Sequence, residues 1–386
     1  MVQVIVLRQT DYLAGDIAAR LVGTGLFVCP RGASVFLKPN LLNSFAPEKA
    51  VTTHPAVVEA LAQIFSDAGA KITIGDSPGP VSQEKALATC GLMPVVKRFG
   101  LKIADVSQTR EVKGRHFSNL TLLSQPFETE LLVNIPKVKT HGQMLLTLAV
   151  KNLFGLVPGL QKAQWHLRTG GDTSAFARLL ADICFSLSSV KSLHVADGIV
   201  SMEGRGPSSG VPRKTDFLAV STSAVSLDAA ICRLLGFPEE RLPTNIAAAA
   251  LFPKEDLSPE LHFVGFPETP SLPLVNAFQF VMPERGSIPH LFPRLAWRLL
   301  RRIWLPRPYV DENACIRCRQ CGQVCAAKAI SFPAENTPPH FDYTKCIRCF
   351  CCEEICPKSA VHARTPLLRR VLSPIKGTFT ARKHKK

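Results

Sequence analysis

Eight cysteines near the C-terminal end of the chain have a spacing suited to iron–sulfur chemistry. They form two runs, each with three cysteines at every third position and a fourth cysteine four positions later: Cys315, Cys318, Cys321 and Cys325, then Cys346, Cys349, Cys352 and Cys356. Three thiolates at this spacing can wrap one cubane cluster, while the fourth lies on the next turn and points toward the other cluster. The spacing therefore predicts two 4Fe-4S clusters. The predicted ligands are Cys315, Cys318, Cys321 and Cys356 for the first cluster, and Cys346, Cys349, Cys352 and Cys325 for the second.

Metal binding is favoured over disulfides because nine of the 13 cysteines crowd into residues 315–356 of a chain without a recognisable export signal. A zinc module is the alternative, but structural zinc sites use ligand pairs with a long spacer rather than two runs of four. The segment is similar to the bacterial two-cluster ferredoxins, except that Ala326 replaces the proline usual after the first run. Cys351 is an additional cysteine, and we interpret it as a bystander because adjacent side chains diverge.

A second set of residues suited to chemistry follows β-rich runs in the N-terminal part. The catalytic candidates are Lys139, His141, Asp76 and Asp197, and the candidates for ligand binding are Lys38, Asn40, His54, Lys137, Lys151, Asn152 and Glu203. Lysines supply positive charge, amides supply hydrogen bonds, and histidines and carboxylates can exchange protons. This combination predicts a site for an anionic substrate that carries a phosphate or carboxylate group. For single members the alternative is structural, since His54 before Pro55 can belong to a helix start.

A parallel sheet would bring these candidates together. Six β-rich runs alternate with helical patterns: the runs are 2–7, 34–37, 71–75, 130–135, 191–196 and 216–221, and the helical stretches are 55–68, 83–99, 143–154, 174–187 and 225–235. This alternation predicts an α/β fold with a mostly parallel sheet. Candidates that follow strand ends are then expected at one edge of the sheet, where open α/β sheets bind ligands. Thr53 is expected to cap the helix that begins at Pro55.

The chain is predicted to have four parts. Residues 1–265 form the α/β domain, 266–308 a proline-rich linker, 309–364 a ferredoxin-like module for two 4Fe-4S clusters, and 365–386 a basic tail. Within the linker, residues 291–305 place arginines on one face of a basic amphipathic helix and apolar residues on the other. This helix either packs between the domains or lies on a lipid surface.

The formal net charge is +16, and the excess of basic residues falls mainly in the C-terminal part. Such asymmetry points to an anionic partner, and we expect an acidic redox partner protein or peripheral contact with an anionic membrane. No nucleic acid is expected, because no recognised nucleic-acid module accompanies the charge. The sequence shows neither a signal peptide nor an apolar run of about 18 residues, which predicts a cytoplasmic protein or one associated with a membrane surface.

Six segments of the N-terminal part together resemble the domain of unknown function 362 family, whose members are often fused to a ferredoxin module and called iron–sulfur centre proteins. The segments read KPNLL, TTHPAVVEAL, AGAKITIGDSPG, NIPKVKTH, LAVKNLFGLVPG and ADGIVSMEGRGP. The resemblance covers most of residues 33–236 and implies an α/β core accompanied by 4Fe-4S clusters, but no particular reaction. The residues that it marks as candidates for the domain's site are Lys38, Asn40, His54, Asp76, Lys139, His141, Lys151, Asn152 and Asp197.

The motifs support two hypotheses about function. The first is an oxidoreductase that passes low-potential electrons from the two clusters to an anionic ligand held by the α/β domain. No flavin or nicotinamide motif is evident in the sequence, so the clusters would be the only electron store. The alternative is a non-catalytic electron-transfer or ligand-binding protein, which docks an acidic redox partner through its basic C-terminal half.

Overall fold

The computed structural model describes residues 2–159, 161–275 and 305–364, residue 366 and two short strands at 280–281 and 378–379. The strands are β1 (Gln3–Arg8), β2 (Ser34–Pro39), β3 (Lys71–Ile74), β4 (Lys102–Ile103), β5 (Thr109–Val112), β6 (Leu120–Leu123), β7 (Leu131–Ile135), β8 (Lys137–His141), β9 (Leu145–Thr147), β10 (Ser192–Glu203), β11 (Val211–Ser221), β12 (Glu260–Val264), β13 (Phe280–Val281), β14 (Arg307–Val310), β15 (Ile330–Ser331), β16 (His340–Phe341), β17 (Val361–Arg364) and β18 (Thr378–Phe379). The helices are α1 (Ala14–Val22), α2 (Pro55–Asp67), α3 (Gln83–Thr89), α4 (Met93–Arg98), α5 (Gln125–Glu128), α6 (Ala149–Asn152), α7 (Gln161–Arg168), α8 (Thr173–Ser186), α9 (Ala224–Leu234), α10 (Pro243–Ala248), α11 (Gln320–Gln323) and α12 (Cys351–Glu354). Nearly all of the predicted helix at 291–305 and most of the tail at 365–386 lie outside the described residues. In the part that is described, no helix has the length and apolar character needed to cross a membrane.

One large sheet organises the α/β domain. Its strands lie in the order β12-β1-β11-β10-β7-β2-β3-β4, and β8 and β9 extend it from β10. Strands β10, β7, β2, β3 and β4 pair in parallel, β12 pairs in parallel with β1, and β11 lies antiparallel between β1 and β10. The prediction of an α/β fold with a mostly parallel sheet is confirmed.

Helices cover both faces of this sheet, because alternate side chains of each strand point to opposite sides. In β2, Phe36 packs into one core together with helices α6, α8, α9 and α10. Its neighbours Val35 and Leu37 pack into a second core with α1, α2 and α4. All three side chains are fully buried, and such burial stabilises a fold by about 1.5–3 kcal/mol for each side chain. The two cores hold the strand ends, and the residues that follow them, in fixed positions.

Helix α2 begins with a different cap from the one expected. The cap is His54, whose Nδ1 accepts a hydrogen bond from the backbone N of Ala56 at 3.2 Å, rather than Thr53. Thr53 Oγ1 instead donates to Ile135 O at 2.6 Å and accepts from the backbone N of Asn40 at 2.8 Å. Thr53 therefore ties together the carboxyl ends of β2 and β7, because its hydroxyl has backbone partners on both sides.

The carboxyl edge of the sheet has two features that were not predicted. Residues 143–154 do not form one helix, because strand β9 precedes α6 and a 3₁₀ turn at Leu153–Leu156. The polar segment after β7 forms strand β8, which pairs in parallel with β10. Lys137 pairs with Asp197 and Lys139 with Met202, so the register shifts between the two lysines. This shift separates their environments although only one residue lies between them.

The cysteine-rich segment is built from two equivalent halves, since Cys346 follows Cys315 by 31 positions and the other ligand candidates keep the same offset. Strand β14 pairs with β17 and β15 with β16, all antiparallel. Positive φ angles recur at equivalent positions, with 58° at Arg317 and 61° at Arg348. The short helices α11 and α12 follow these two loops, so both halves have the same local backbone.

Candidate functional site

A cavity of about 720 Å³ lies at the carboxyl edge of the sheet, between the α/β domain and the cysteine-rich module. Residues from helices α11 and α12 and the segments that follow them form its module side: Gln323, Val324, Cys351, Glu354 and Ile355. The predicted site residues that line its sheet side are Asn40, Asp76, Lys139, His141, Lys151 and Asn152. The edge identified from the sequence is therefore one wall of a site that two domains share.

Direct contacts hold the module against the sheet edge. Asn43 follows β2, and its Nδ2 donates to Ile355 O at 2.8 Å and to Gln320 Oε1 at 3.0 Å. The Asn43 side chain is fully buried. Gly171, before helix α8, approaches the second cysteine run so closely that a Cβ there would stand 2.7 Å from the carbonyl oxygen of Ile347. Only glycine permits this approach, and its φ of +76° is also one that glycine favours.

Lys38 and Asp76 form a buried ion pair beside the cavity, with 3.2 Å between Nζ and Oδ1. Asp76 also accepts hydrogen bonds from the backbone N of Leu41 at 2.7 Å and of Ser77 at 2.9 Å. Burial lowers the pKa of Lys38, and the neighbouring Asp76 carboxylate opposes this effect. A Cβ on Gly155 would collide with the pair. Asp76 therefore anchors the ends of β2 and β3 and presents little free hydrogen-bonding capacity to a ligand.

Lys139 extends from β8 with its ammonium group buried at the cavity wall. Its Nζ donates to Asn40 Oδ1 at 2.7 Å and to Val51 O. Asn40 Nδ2 in turn donates to Asn152 Oδ1 at 2.6 Å, which fixes the orientation of both amides. Burial, with a smaller contribution from Lys151, lowers the pKa of Lys139 to about 7. Lys139 can therefore give or accept a proton near neutral pH.

His141 has a defined tautomer and faces the module. Its Nδ1 accepts hydrogen bonds from the backbone N of Gln143 at 3.0 Å and of Met144 at 3.2 Å, so a neutral ring carries its proton on Nε2. Nε2 lies 3.4 Å from Glu354 Oε1. On the same wall, the buried Oγ1 of Thr147 has no hydrogen-bond partner among the described residues. Thr147 thus offers a hydroxyl group that a bound ligand could use.

Sequence reasoning missed Lys162 and His166, which helix α7 adds to the cavity. Lys162 Nζ donates to Ser77 O, and burial lowers the pKa of Lys162 to about 7. The His166 ring stacks on Phe176 with 4.3 Å between centroids. The two residues are four positions apart, which places them on one side of a helix. That spacing in the segment QKAQWHLR was the signal available in the sequence.

Lys151 adds a third ammonium group to the cavity. Its Nζ lies 5.0 Å from the ring centroid of Phe154. Burial lowers the pKa of Lys151, and Glu354 opposes the effect in part. Within the described ranges, none of Lys139, Lys151 and Lys162 forms an ion pair with a carboxylate. The cavity therefore has a positive wall that suits an anion.

The structure places the other site candidates of the α/β domain outside the cavity. Lys137 and Asp197 form a buried ion pair at 2.8 Å, and the Tyr12 hydroxyl lies 2.9 Å from each. His54 stacks on Tyr12 with 3.5 Å between ring centroids, and its backbone N donates to Asp197 Oδ2 at 2.9 Å. Burial lowers the pKa of His54 to about 4. Glu203 pairs with an arginine of β11 at 2.9 Å. These contacts join β8, β10 and the start of α2.

The cysteine side chains lie in two neighbouring groups, and their assignment to two clusters stays a prediction. One small cavity is lined by four of them: Cys315, Cys318, Cys321 and Cys356. In the other group, Cys349 and Cys325 lie near Cys346. Backbone N atoms lie 3.3 Å from the Sγ of Cys325 and 3.1 Å from that of Cys356, and such donors stabilise cluster thiolates. Among the described residues, no three His, Cys, Asp or Glu side chains are close enough to share a single metal ion.

Helix α12 connects the second cysteine group to the large cavity. It begins at Cys351, which lines the cavity, continues through the predicted ligand Cys352, and ends at Glu354, which lines the cavity again. Cys351 is also hydrogen-bonded to Cys349. The interpretation of Cys351 as a bystander stays a prediction. One turn of helix therefore carries both a predicted cluster ligand and part of the cavity wall.

Comparisons with known proteins bear on both parts of the chain. A family described as domain of unknown function (DUF362) matches residues 35–233, and a 4Fe-4S dicluster domain matches residues 307–357. A thylakoid-associated protein of Synechocystis sp. is 35% identical over 256 residues, which cover 64% of this chain and 79% of that protein.

Two solved structures show a weaker similarity. The lactate racemase apoprotein from Thermoanaerobacterium thermosaccharolyticum is 13% identical, with a TM-score of 0.38, over 58% of this chain and 55% of that chain. A protein from Thermotoga maritima is 11% identical, with a TM-score of 0.33, over 52% of each chain. This chain thus spans about half the length of both. Since the family match covers half of the sequence, the chain belongs to the domain of unknown function 362 family, and its dicluster domain makes it an iron–sulfur protein.

Proposed function

We propose that this protein is an oxidoreductase with two 4Fe-4S clusters, which passes low-potential electrons to an anionic ligand in the cavity between the two domains. The observation that carries the proposal is the position of helix α12, which bears Cys352 and forms part of the cavity wall. A bound cluster would supply single electrons at low potential. The second cysteine group would hold the cluster next to the cavity, and the first group would hold the one further away.

The charge of the cavity supports an anionic ligand. Lys139, Lys151 and Lys162 face the same space and form no ion pair with a carboxylate among the described residues. A phosphate or carboxylate group placed among them would gain charge-assisted hydrogen bonds. Thr147 Oγ1 is available to donate a further bond. Apolar side chains such as Phe154 complete the wall and leave room for an uncharged body on the ligand.

Proton delivery is the second task that these residues can perform. Reduction of an anion adds negative charge, and a proton from a nearby acid compensates for it. Lys139 and Lys162 suit this role because burial lowers the pKa of each to about 7. His141 presents its Nε2 toward the module side of the cavity. The chain thus places proton donors around the ligand without using the more distant Asp197.

Re-oxidation of reduced protein tests the proposal. Anaerobic holoprotein would be reduced with dithionite, freed of reductant and mixed with fractionated anionic metabolites, while the visible absorbance of the clusters is followed. We expect one metabolite fraction to restore the absorbance spectrum of the oxidised clusters. Lys162→Met should slow this reaction at least about ten-fold, because it removes a contact to the ligand.

The matched control is Lys71→Met, which removes an exposed lysine from the opposite end of β3. It should re-oxidise at the rate of the unchanged protein. If Lys162→Met and Lys71→Met behave alike with every fraction, the cavity takes no part in the reaction and the proposal fails.

Peripheral contact with an anionic membrane is a second proposal, about location. The basic C-terminal residues and the thylakoid-associated relative support it. Sedimentation with vesicles that contain phosphatidylserine should pellet the protein, and vesicles of phosphatidylcholine alone should not. The same low recovery with both kinds of vesicle would contradict the proposal.

A further inference from the structure

The two cysteine runs begin with the same tetrapeptide and have the same local backbone, but they have different surroundings. The first run begins Cys-Ile-Arg-Cys at Cys315, and the second begins Cys-Ile-Arg-Cys at Cys346. The φ angles of Arg319 and Phe350, which follow these tetrapeptides, are 61° and 63°. Because the backbones agree, a difference in exposure between identical residues such as Ile316 and Ile347 comes from what packs against each loop.

The first loop is open to solvent. Ile316 is 55% exposed, although isoleucine is usually buried. Arg317, Cys318 and Arg319 are also exposed. Cys318 is one of the predicted ligands of the first cluster, so that cluster would lie just beneath the surface here.

The second loop is covered. Phe350, the counterpart of Arg319, is 3% exposed, and Ile347 is partly buried. Gly171 of the α/β domain packs against the Ile347 carbonyl group. Arg348 Nη1 donates to the carbonyl oxygens of residues 305 and 306, which closes another side of the loop. Docking of the two domains therefore breaks the symmetry of the module.

The open loop has the composition of a docking surface. Ile316 provides an exposed apolar side chain, and the exposed Arg317 and Arg319 follow it in the same loop. Arg319 is held in place, since its Nη2 donates to Glu335 O at 2.8 Å and its guanidinium lies 5.3 Å from the ring centroid of Phe332. An exposed apolar residue in a loop with two arginines, one of them held in place, fits a partner surface that combines an apolar patch with acidic side chains.

We propose that the loop Cys315–Arg319 is the face through which the protein receives electrons, and that its partner is an acidic one-electron carrier protein. In each encounter the reduced carrier would lose one electron, and a cluster held by Cys315, Cys318, Cys321 and Cys356 would gain it, with no transfer of protons or atoms. The electron would then pass to the cluster held by the second run, whose loop faces the α/β domain. This inference rests on the proposed function, because it assigns the two cysteine groups to the input and output ends of one electron path.

Stopped-flow reduction of the oxidised holoprotein by reduced plant-type ferredoxin, an acidic carrier, tests the inference without any ligand in the cavity. We expect Arg317→Glu to lower the second-order rate constant at least about ten-fold at low ionic strength, and added salt to narrow this difference. Arg317→Gln should give an intermediate rate. Iron content and full reduction by dithionite would verify that both variants retain their clusters.

Two controls separate this inference from the proposed function. Lys102→Glu makes the same charge change on exposed strand β4, outside the module, and should alter the rate less than about two-fold. Lys162→Met changes the cavity and should leave reduction by the carrier unchanged, whatever its effect on ligand chemistry. The inference is overturned if Arg317→Glu accepts electrons as fast as the unchanged protein, or if either control slows reduction as much as Arg317→Glu does.

Discussion

Replacing Gly171 by alanine should weaken the attachment of the cysteine-rich module to the sheet edge. An alanine Cβ at this position would stand 2.7 Å from the carbonyl oxygen of Ile347, closer than van der Waals contact allows. The adjacent Gly170 is a matched control. It also has a positive φ, of +61°, but nothing lies within 4 Å of the place where its Cβ would be. Comparison of the two variants therefore isolates the contact between domains from backbone strain.

The expected magnitudes follow from these geometries. An alanine in the left-handed region costs about 1–2 kcal/mol, and this applies to both variants. Only Gly171→Ala also adds overpacking against a neighbour, which costs about 1–3 kcal/mol more. We thus expect Gly170→Ala to lower the free energy of unfolding by about 1–2 kcal/mol, and Gly171→Ala by about 2–5 kcal/mol.

Anaerobic unfolding of the holoproteins in guanidinium chloride would measure the difference. Cluster absorbance would report on the module and far-ultraviolet circular dichroism on the α/β domain. In Gly171→Ala, cluster absorbance should be lost at a lower denaturant concentration than in Gly170→Ala. Equal transitions for the two variants would mean that the module does not pack on this backbone, and the reasoning about the shared cavity would then be refuted.

Three further predictions concern the charges and thiols of the two sites. Calorimetric titration should show that sulfate binds about ten-fold more weakly at pH 8 than at pH 6. Sulfate keeps its charge over this range, but Lys139 and Lys162, with pKa values of about 7, lose the protons that attract it. Binding that does not change with pH would contradict this prediction. Asp197→Asn should lower the free energy of unfolding by about 3–5 kcal/mol in denaturant titrations, because it leaves the buried Lys137 without its ion-pair partner. The rate of re-oxidation of the folded protein should stay unchanged. Slow re-oxidation with normal stability would show instead that Asp197 is catalytic. Cys318→Ser should lose iron and Cys351→Ser should keep it in iron assays of the purified proteins; iron loss from Cys351→Ser would show that Cys351 is not a bystander.

The dicluster domain could be predicted from the sequence because its cysteine spacing is a local pattern. Each run places its first three cysteines in one short loop, and the positive φ angles at Arg317 and Arg348 recur in both loops. The alternation of strands and helices likewise revealed the α/β fold, since each strand needs apolar residues on both faces to be buried between helices. Both predictions depend on patterns that a few neighbouring residues determine.

The cavity could be predicted only in part, because long-range packing completes it. Asn40 and Asp76 follow parallel strands, so their meeting at one edge was foreseeable. Lys139 lines the cavity and Lys137 does not, because the register between β8 and β10 shifts between them. No local sequence pattern indicates this shift. Lys162 reaches the cavity because helix α7 packs beside it. The module side of the cavity depends on how two domains dock, and spacing along the chain carries no information about that.

Because two domains form the walls of the cavity, ligand binding and the association of the two domains are thermodynamically coupled. A ligand that touches both walls binds the associated form and not the separated one, so it stabilises the association by an amount that increases with its concentration and its affinity. Asn43 does not line the cavity, yet its hydrogen bonds to Ile355 and Gln320 favour the associated form. Its replacement would weaken ligand binding without removing any ligand contact. Selection for tight ligand binding would therefore act on residues that hold the two domains together, such as Asn43, as well as on residues that contact the ligand.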